Sequence, residues 1–226
     1  MTILAVVPAR GGSQRVPRKN LARLGGRTLV RRALDTALLA ACFDTVVLSS
    51  DDDEILREAE GSGAVALRRP ADLATATSTT LEAVRHALGE LDPSAERFEA
   101  VAVVQATSPF TAPEDLAGAV ELLVRSGSES VVSVVRVEAA LHPLKLKTLG
   151  PEGRLLPYLA DDAMARSQTL PPLWVRNGSV YLSRRDVIER GLMLSESDTR
   201  GYEMPAGRSF DVDTPRDLAF ARFLVE

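Results

Sequence analysis

The chain has 226 residues, of which 45% are hydrophobic and 26% charged, and this composition predicts one soluble globular domain with a full core. Its net charge of −4 argues against a general nucleic-acid binder, because such proteins carry a surplus of Lys and Arg that displaces counterions from the phosphates. With one cysteine, Cys42, and no apolar run near the roughly 18 residues that span a bilayer, the chain is expected in the cytoplasm, without a membrane partner.

Strand-like runs rich in Val and Ala alternate with helical segments over the first 137 residues. Strands are predicted at 3–7, 45–50, 64–69, 100–106 and 130–137, and helices around 29–38, 55–59, 81–88 and 116–123. Asp52 and Pro113 stand where helices are expected to begin, and Gly127 where one ends. Near-continuous apolar strands that alternate with amphipathic helices indicate an α/β fold, with a Rossmann-like, mostly parallel sheet flanked by helices.

This alternation stops after residue 138. Scattered prolines and turn glycines over about 139–172 predict a small irregular arm, inserted into a single domain that covers 1–226. The chain then returns with a strand in GSVYLS and a short helix in RDVIERG. FDVD, residues 210–213, is predicted to end a strand and to precede a helix that Thr214 caps and Pro215 begins.

A cationic loop, PARGGSQRVPRKN, follows the first strand. It combines four cations with two glycines: Arg10, Gly11, Gly12, Arg15, Arg18 and Lys19. Glycines let backbone N–H groups approach an anion, and ligands of open α/β sheets bind beyond the carboxyl ends of the strands. The pattern is neither GxGxxG nor GxxxxGK[ST], so it indicates neither a dinucleotide site nor a P-loop. The loop is predicted to bind a ligand with several negative charges; the alternative is a solvated basic loop.

Asp211 and Asp213 form a second candidate site. Alternate residues of a strand point to one face, so their carboxylates are expected to converge. Mg²⁺ takes hard oxygen ligands, and two carboxylates together with substrate phosphates suffice to hold it. The alternative is that Asp213 only precedes the helix cap and Asp211 is exposed.

Three further junctions carry weaker signals. QATSPF is predicted to leave a central strand, with Gln105 at its end, and SSDDDE to begin a helix with its acidic residues. In NGSVY, Asn177 and Gly178 are predicted to form a hairpin turn.

Taken in order, PARGGSQRVPRKN, SSD, LRRPADLA, QATSPF, HPLK, NGSVY and DVDT closely resemble the acylneuraminate cytidylyltransferase family, the CMP-sialic acid synthetases and their relatives acting on pseudaminic and legionaminic acids. The resemblance runs from about residue 3 to the C-terminus. It implies that the anomeric hydroxyl of an acidic nine-carbon sugar attacks the α-phosphate of CTP, which releases pyrophosphate and gives the CMP-sugar. It also implies a homodimer that pairs through the irregular arm.

The resemblance assigns roles by motif. It implies a triphosphate site at Ala9, Arg10, Gly11, Gly12, Ser13 and Lys19, a cytidine site at Asn20, Arg69 and Thr80, a sugar site at Gln105, Lys145 and Tyr181, and a Mg²⁺ site at Asp211 and Asp213. Arg10 and Lys19 would act in catalysis by neutralising charge, and Asp211 could also help to deprotonate the hydroxyl.

The chain departs from the family pattern at a few positions. Gln14 stands where the family usually has lysine, although Arg15 could replace that charge, and Ala76 stands where the family often has Asp. Arg166 is offset by one from the arginine expected to meet the sugar carboxylate.

Three alternatives stay open. The acceptor could be a different acid, such as a keto-deoxy sugar acid or a phosphonate, or the nucleotide could be UTP or GTP. The chain could also be a non-catalytic nucleotide- or sugar-binding module of the same fold. Such a module is expected to have lost a metal-site aspartate or a loop cation, but this chain keeps them.

Overall fold

The computed structural model describes residues 1–13, 15–159 and 170–225. Its strands are β1 (Ile3–Pro8), β2 (Arg23–Leu24), β3 (Arg27–Thr28), β4 (Thr45–Ser50), β5 (Val65–Arg68), β6 (Ala100–Val104), β7 (Ser130–Arg136), β8 (Lys147–Leu149), β9 (Leu155–Pro157), β10 (Trp174–Arg184) and β11 (Thr199–Glu203). Its α-helices are α1 (Leu29–Leu39), α2 (Asp53–Arg57), α3 (Thr80–Leu91), α4 (Pro113–Ser126), α5 (Arg185–Glu189) and α6 (Pro215–Val225). Among these described residues, no helix is long and apolar enough to cross a membrane.

A seven-stranded sheet in the order β11-β7-β10-β6-β1-β4-β5 forms the centre of the fold. Neighbouring strands run parallel, except that β10 is antiparallel to both β6 and β7. The predicted mostly parallel α/β fold is confirmed.

The central strand β1 shows why these runs are apolar throughout. Leu4 and Val6 pack into the apolar layer beneath α3, whereas Ile3, Ala5 and Val7 pack into the larger layer with α1 and α4. A strand covered on both faces buries every side chain, so its sequence cannot alternate between apolar and polar residues.

The predicted helix boundaries are also confirmed. The carboxylate of Asp52 accepts hydrogen bonds from the Glu54 and Ile55 amides at the start of α2. Pro113 is the first residue of α4, and Gly127 ends that helix in the left-handed region at φ +67°. The Thr214 hydroxyl accepts from the Asp217 amide at 3.2 Å and so caps α6.

Two predictions near the C-terminal third are wrong, and one strand of the central sheet was missed, along with the two-residue strands β2 and β3. FDVD is not a strand: residues 210–213 are irregular, and the Val212 amide donates to the Thr107 carbonyl at 2.7 Å. Asn177 and Gly178 form no hairpin turn. They lie inside β10, where the pairing with β7 shifts register and Gly178 takes φ +83°, so the residues form a bulge within one long strand. The missed strand β11 lies at the sheet edge, where most of its residues are exposed and carry little apolar signal.

The arm begins after β7. It contains the short strands that were expected, because β8 and β9 form an antiparallel hairpin. The remainder of the predicted arm includes residues 160–169, which lie outside the described residues.

Candidate active site

A cavity of about 590 Å³ opens at the carboxyl edge of the parallel strands. It is lined by Pro8, Arg10, Ser13, Arg15, Val16, Lys19, Asn20, Arg69, Ala76, Ser78, Thr79, Thr80, Gln105, Thr107 and Asp213. Parallel strands end at this edge, so residues that are far apart in the sequence meet there.

The glycine-containing loop passes close to the start of α2. The Gly11 amide donates to the Asp51 carboxylate at 3.0 Å, and a Cβ at position 11 would lie 2.8 Å from Asp52 Oδ2. Only glycine permits this approach. Two other amides predicted to bind phosphate also donate hydrogen bonds within the protein. The Ala9 amide donates to the Ser49 carbonyl and the Ser13 amide donates to the Gly11 carbonyl, each at 3.0 Å.

The loop cations divide into two groups. Arg10, Arg15 and Lys19 line the cavity, and Arg10 Nη1 donates to the Thr75 carbonyl at 2.6 Å. Arg18 instead takes a left-handed conformation at φ 53° and pairs with Glu54 at 2.6 Å. The cationic surface of the cavity therefore comes from three of the four loop cations, joined by Arg69 from the end of β5.

Asp213 is clamped by two of these cations. Lys19 Nζ lies 3.2 Å from Oδ1 and Arg15 Nη1 lies 2.9 Å from Oδ2. Lys19 also donates to the Val212 carbonyl at 2.9 Å, which ties the first loop to the aspartate segment. Arg15 thus brings a cation beside the predicted metal site, whereas Gln14 lies outside the described residues.

Asp211 belongs to the same irregular segment as Asp213 but does not line the cavity. Burial raises the pKa of Asp211 and the neighbouring Asp213 charge adds to the increase, against a hydrogen bond from Thr107 and the charge of Lys19. The convergence of the two carboxylates on one metal ion stays a prediction.

The three residues predicted to surround cytidine lie together in the cavity. Asn20 is buried and donates from Nδ2 to the Arg10 carbonyl at 2.9 Å. Arg69 is 5% exposed, and its buried Nε has no hydrogen-bond partner among the residues that the structure describes. The pKa of Arg69 is lowered, mainly by burial and further by the nearby charge of Arg10, and the Asp51 charge offsets part of this decrease. Thr80 begins α3 at the cavity wall.

The predicted sugar-binding residues are more dispersed. Gln105 lines the cavity, but Lys145 and Tyr181 do not. Lys145 lies in a short 3₁₀ turn near the base of the arm. Tyr181 lies in β10 opposite Val103 and Val132, partly buried against the apolar layer on the α3 side.

The hydroxyl side chain of Ser13 was predicted to belong to the site and does line the cavity. Three other hydroxyl residues that line it were not assigned to the site from the sequence: Ser78, Thr79 and Thr107. A signal was present for Thr79. It forms a capping box with Glu82 at the start of α3, and the sequence TTLE, residues 79–82, carries that pattern. Ala76, where the family often has Asp, also lines the cavity.

The side chains available at the site limit which metal ion it could bind. Among the residues that the structure describes, no group of three or more His, Cys, Asp or Glu side chains could hold a metal ion. Asp211 and Asp213 offer hard oxygen ligands, which suits Mg²⁺ if substrate phosphates complete its coordination. A cation would also offset the repulsion that the Asp213 charge exerts on the Asp211 carboxylate, so these residues fit the ion.

A mostly parallel α/β sheet with a cationic glycine loop and Asp213 at its carboxyl edge is the arrangement expected of a nucleotidyltransferase. A family model described as Cytidylyltransferase matches residues 4–222. The chain therefore belongs to the cytidylyltransferase family.

Individual relatives agree with that membership. The chain is 35% identical to the CMP-N,N'-diacetyllegionaminic acid synthase of Legionella pneumophila, over 100% of this chain and 97% of that protein. It is 30% identical to the N-acylneuraminate cytidylyltransferase of Streptococcus agalactiae over 96% of this chain, and it spans about half of that relative, 52% of its length.

A solved structure supports the fold. The chain superposes on CMP:2-keto-3-deoxy-manno-octonic acid synthetase complexed with CTP with a TM-score of 0.74, over 99% of this chain and 98% of that one. The identity is 19%, so this likeness concerns the fold alone.

Proposed function

We propose that the protein transfers a cytidylyl group from CTP to the anomeric hydroxyl of an acidic nine-carbon sugar, a nonulosonic acid such as N-acetylneuraminate. The observation that carries the proposal is the cavity in which Arg10, Arg15, Lys19 and Arg69 face Asp213, in a chain similar over its full length to a CMP-nonulosonate synthase. The proposal includes a cytoplasmic reaction, where CTP is available, without a nucleic-acid or membrane partner.

The reaction needs positioning and charge neutralisation more than covalent help. The sugar's anomeric oxygen forms a bond to the α-phosphorus, the bond from that phosphorus to the bridging oxygen breaks, and pyrophosphate takes the electron pair. Arg10 and Lys19 stand at the cavity wall, where they can neutralise charge that develops on the leaving pyrophosphate. The hydroxyl proton must leave, and Asp211 could help to accept it only while it is not bound to Mg²⁺, because a carboxylate that holds a metal ion is a poor base.

Asp211 and Asp213 would hold Mg²⁺, which supplies charge neutralisation at the transferring phosphate when it is bound. In the present arrangement Lys19 and Arg15 occupy the two oxygens of Asp213. Substrate phosphates would therefore meet these two cations as soon as they approach the aspartate. The residues of the first loop and of the aspartate segment then act on the same phosphates.

We further propose that two copies of the chain pair through the arm. The arm and the strand that follows it present a group of exposed apolar side chains: Leu141, Leu149, Leu155, Leu156, Tyr158, Trp174 and Val175. Leu149 is 75% exposed and Leu155 69%. Concentrated apolar exposure of this kind is typical of a surface that a second protein covers.

The experiment is pyrophosphate release with Mg²⁺, in which CTP, UTP, GTP and ATP are each crossed with a panel of acids. The panel contains N-acetylneuraminate, a legionaminic acid, a pseudaminic acid, 2-keto-3-deoxy-manno-octonic acid and a phosphonate. Turnover with CTP and at least one nonulosonic acid is the expected result. Turnover with only the eight-carbon acid or the phosphonate would overturn the acceptor assignment, and turnover with another nucleotide would overturn the assignment of CTP.

A further inference from the structure

An ion pair with a buried carboxylate joins two segments that border the active site. Asp115, in the first turn of α4, is completely buried at 0% exposure. Arg208 reaches it from the loop between β11 and α6, with Nε 2.8 Å from Oδ2 and Nη2 2.7 Å from Oδ1. The same carboxylate accepts from the Ala112 amide at 3.0 Å. The pair is therefore bidentate and additionally hydrogen-bonded, the geometry that holds two segments in one relative position.

Each partner lies close in sequence to residues of the cavity. Asp115 lies in α4, a few residues after Gln105 and Thr107, which follow β6 and line the cavity. Arg208 lies three residues before Asp211, in the segment that carries both aspartates. The ion pair thus connects the end of the β6 segment to the start of the aspartate segment.

Two further contacts hold the aspartate segment. Asn177 Nδ2 donates to the Ser209 hydroxyl at 2.9 Å, from the bulge in β10. The Val212 amide donates to the Thr107 carbonyl at 2.7 Å. Residues 210–213 have no regular secondary structure, so no strand ladder determines where the aspartates stand. Their position depends on these separate anchors.

We propose that Arg208 is a positioning residue for Asp211 and Asp213, an inference that rests on the proposed function. A buried ion pair adds little net stability compared with apolar residues of similar volume, because the desolvation cost offsets the attraction. A displacement of about 1 Å in a catalytic group is nevertheless enough to lower activity strongly. The role of the pair is therefore to hold the segment that carries Asp211 and Asp213 in one position, so that both carboxylates can bind a divalent cation together with the substrate phosphates.

The chain offers a control in a second Asp–Arg pair with a buried carboxylate. Asp92 is 3% exposed and accepts from Arg185 and from the Phe98 amide. This pair lies at the opposite edge of the sheet, where β6 begins and β10 ends. Arg185 contacts one oxygen of Asp92 through Nη1, whereas Arg208 contacts both oxygens of Asp115. Replacing either arginine with lysine keeps the charge but removes guanidinium contacts to a buried carboxylate, so Arg185→Lys measures the general cost of that change at the edge opposite the cavity.

The experiment measures Mn²⁺ binding to the full chain with CTP by electron paramagnetic resonance, alongside the melting temperature and the kinetics of pyrophosphate release. Arg208→Lys is expected to weaken Mn²⁺ binding about tenfold, and to raise the Mg²⁺ concentration for half-maximal activity by a similar factor. Arg185→Lys is expected to lower the melting temperature comparably but to change Mn²⁺ binding less than twofold. Ser209→Ala removes a partly buried anchor without disturbing a buried charge, and is expected to weaken Mn²⁺ binding about threefold.

Several outcomes would overturn the inference. If Arg208→Lys and Ser209→Ala both bind Mn²⁺ as the unaltered chain does, Arg208 does not position the aspartates. If Arg185→Lys weakens Mn²⁺ binding as much as Arg208→Lys, the effect is one of general stability. A wild-type chain that turns over CTP with a nonulosonic acid while these variants show no shift refutes this inference alone. A wild-type chain without Mn²⁺ binding or turnover refutes the proposed function and this inference together.

Discussion

Replacing Asp213 with asparagine separates the chemistry of the site from the stability of the fold. The side chain is 47% exposed and contacts Lys19 and Arg15, both of which bring a positive charge to it. The pair with Arg15 is exposed, and such pairs contribute about 0–1 kcal/mol. Lys19 is 15% exposed but keeps its hydrogen bond to the Val212 carbonyl, and loss of the Asp213 charge relieves its repulsion of Asp211. The free energy of unfolding is therefore expected to change by about 1 kcal/mol or less.

The effect on turnover is expected to be much larger. A cation held by Asp213 would take the place of Lys19 Nζ, which is now 3.2 Å from Oδ1. Two unit charges about 4 Å apart interact by about 4 kcal/mol at an effective dielectric constant of about 20. Loss of that interaction in the transition state corresponds to a fall in kcat of about three orders of magnitude.

The assay is pyrophosphate release from CTP and the best acceptor over a range of Mg²⁺ concentrations, with urea unfolding of the same samples. Asp186→Asn is the matched control, because Asp186 lies in the short helix α5, outside the cavity. Its carboxylate is 60% exposed and lies 3.5 Å from Arg190. Asp186→Asn is expected to change neither the rate of pyrophosphate release nor the free energy of unfolding. If Asp213→Asn keeps more than about a tenth of the turnover at saturating Mg²⁺, the electrostatic reasoning behind the metal assignment is wrong.

Other predictions concern the loop, the cysteine and the arm. Arg10→Ala is expected to lower kcat/KM by about a hundredfold with every acceptor, as loss of one preorganised charge-stabilising donor does; a defect confined to one sugar would instead place Arg10 at the acceptor. Burial raises the pKa of the Cys42 thiol to about 11, so a disulfide reagent at pH 8 should modify the folded chain far more slowly than the chain in urea. The rate for the folded chain should rise as the pH approaches that value. Equal rates in the two states would contradict this prediction. Leu149→Glu with Leu155→Glu is expected to convert a dimer into a monomer in light scattering, and an unchanged mass would argue against pairing through the arm.

Much of the central fold follows from the sequence alone. The strands of the parallel core were predictable because burial on both faces requires nearly continuous apolar runs, as in residues 3–7 and 100–104. Helix ends at Asp52, Pro113 and Gly127 were predictable because capping depends on local side-chain chemistry and backbone freedom. The edge strand β11 was not, since an exposed edge carries little hydrophobic signal.

The site divides in the same way. The sequence by itself determined that four cations and two glycines follow the first strand, and this predicts an anionic ligand at the carboxyl edge of the sheet. It did not determine the setting of the two carboxylates, because residues 210–213, predicted to end a strand, are irregular. Only the tertiary structure decided that Arg15 and Lys19 reach Asp213 while Arg18 turns to Glu54. Side-chain direction in a loop depends on backbone dihedrals and on partners distant in the chain, and neither is encoded in a periodic pattern.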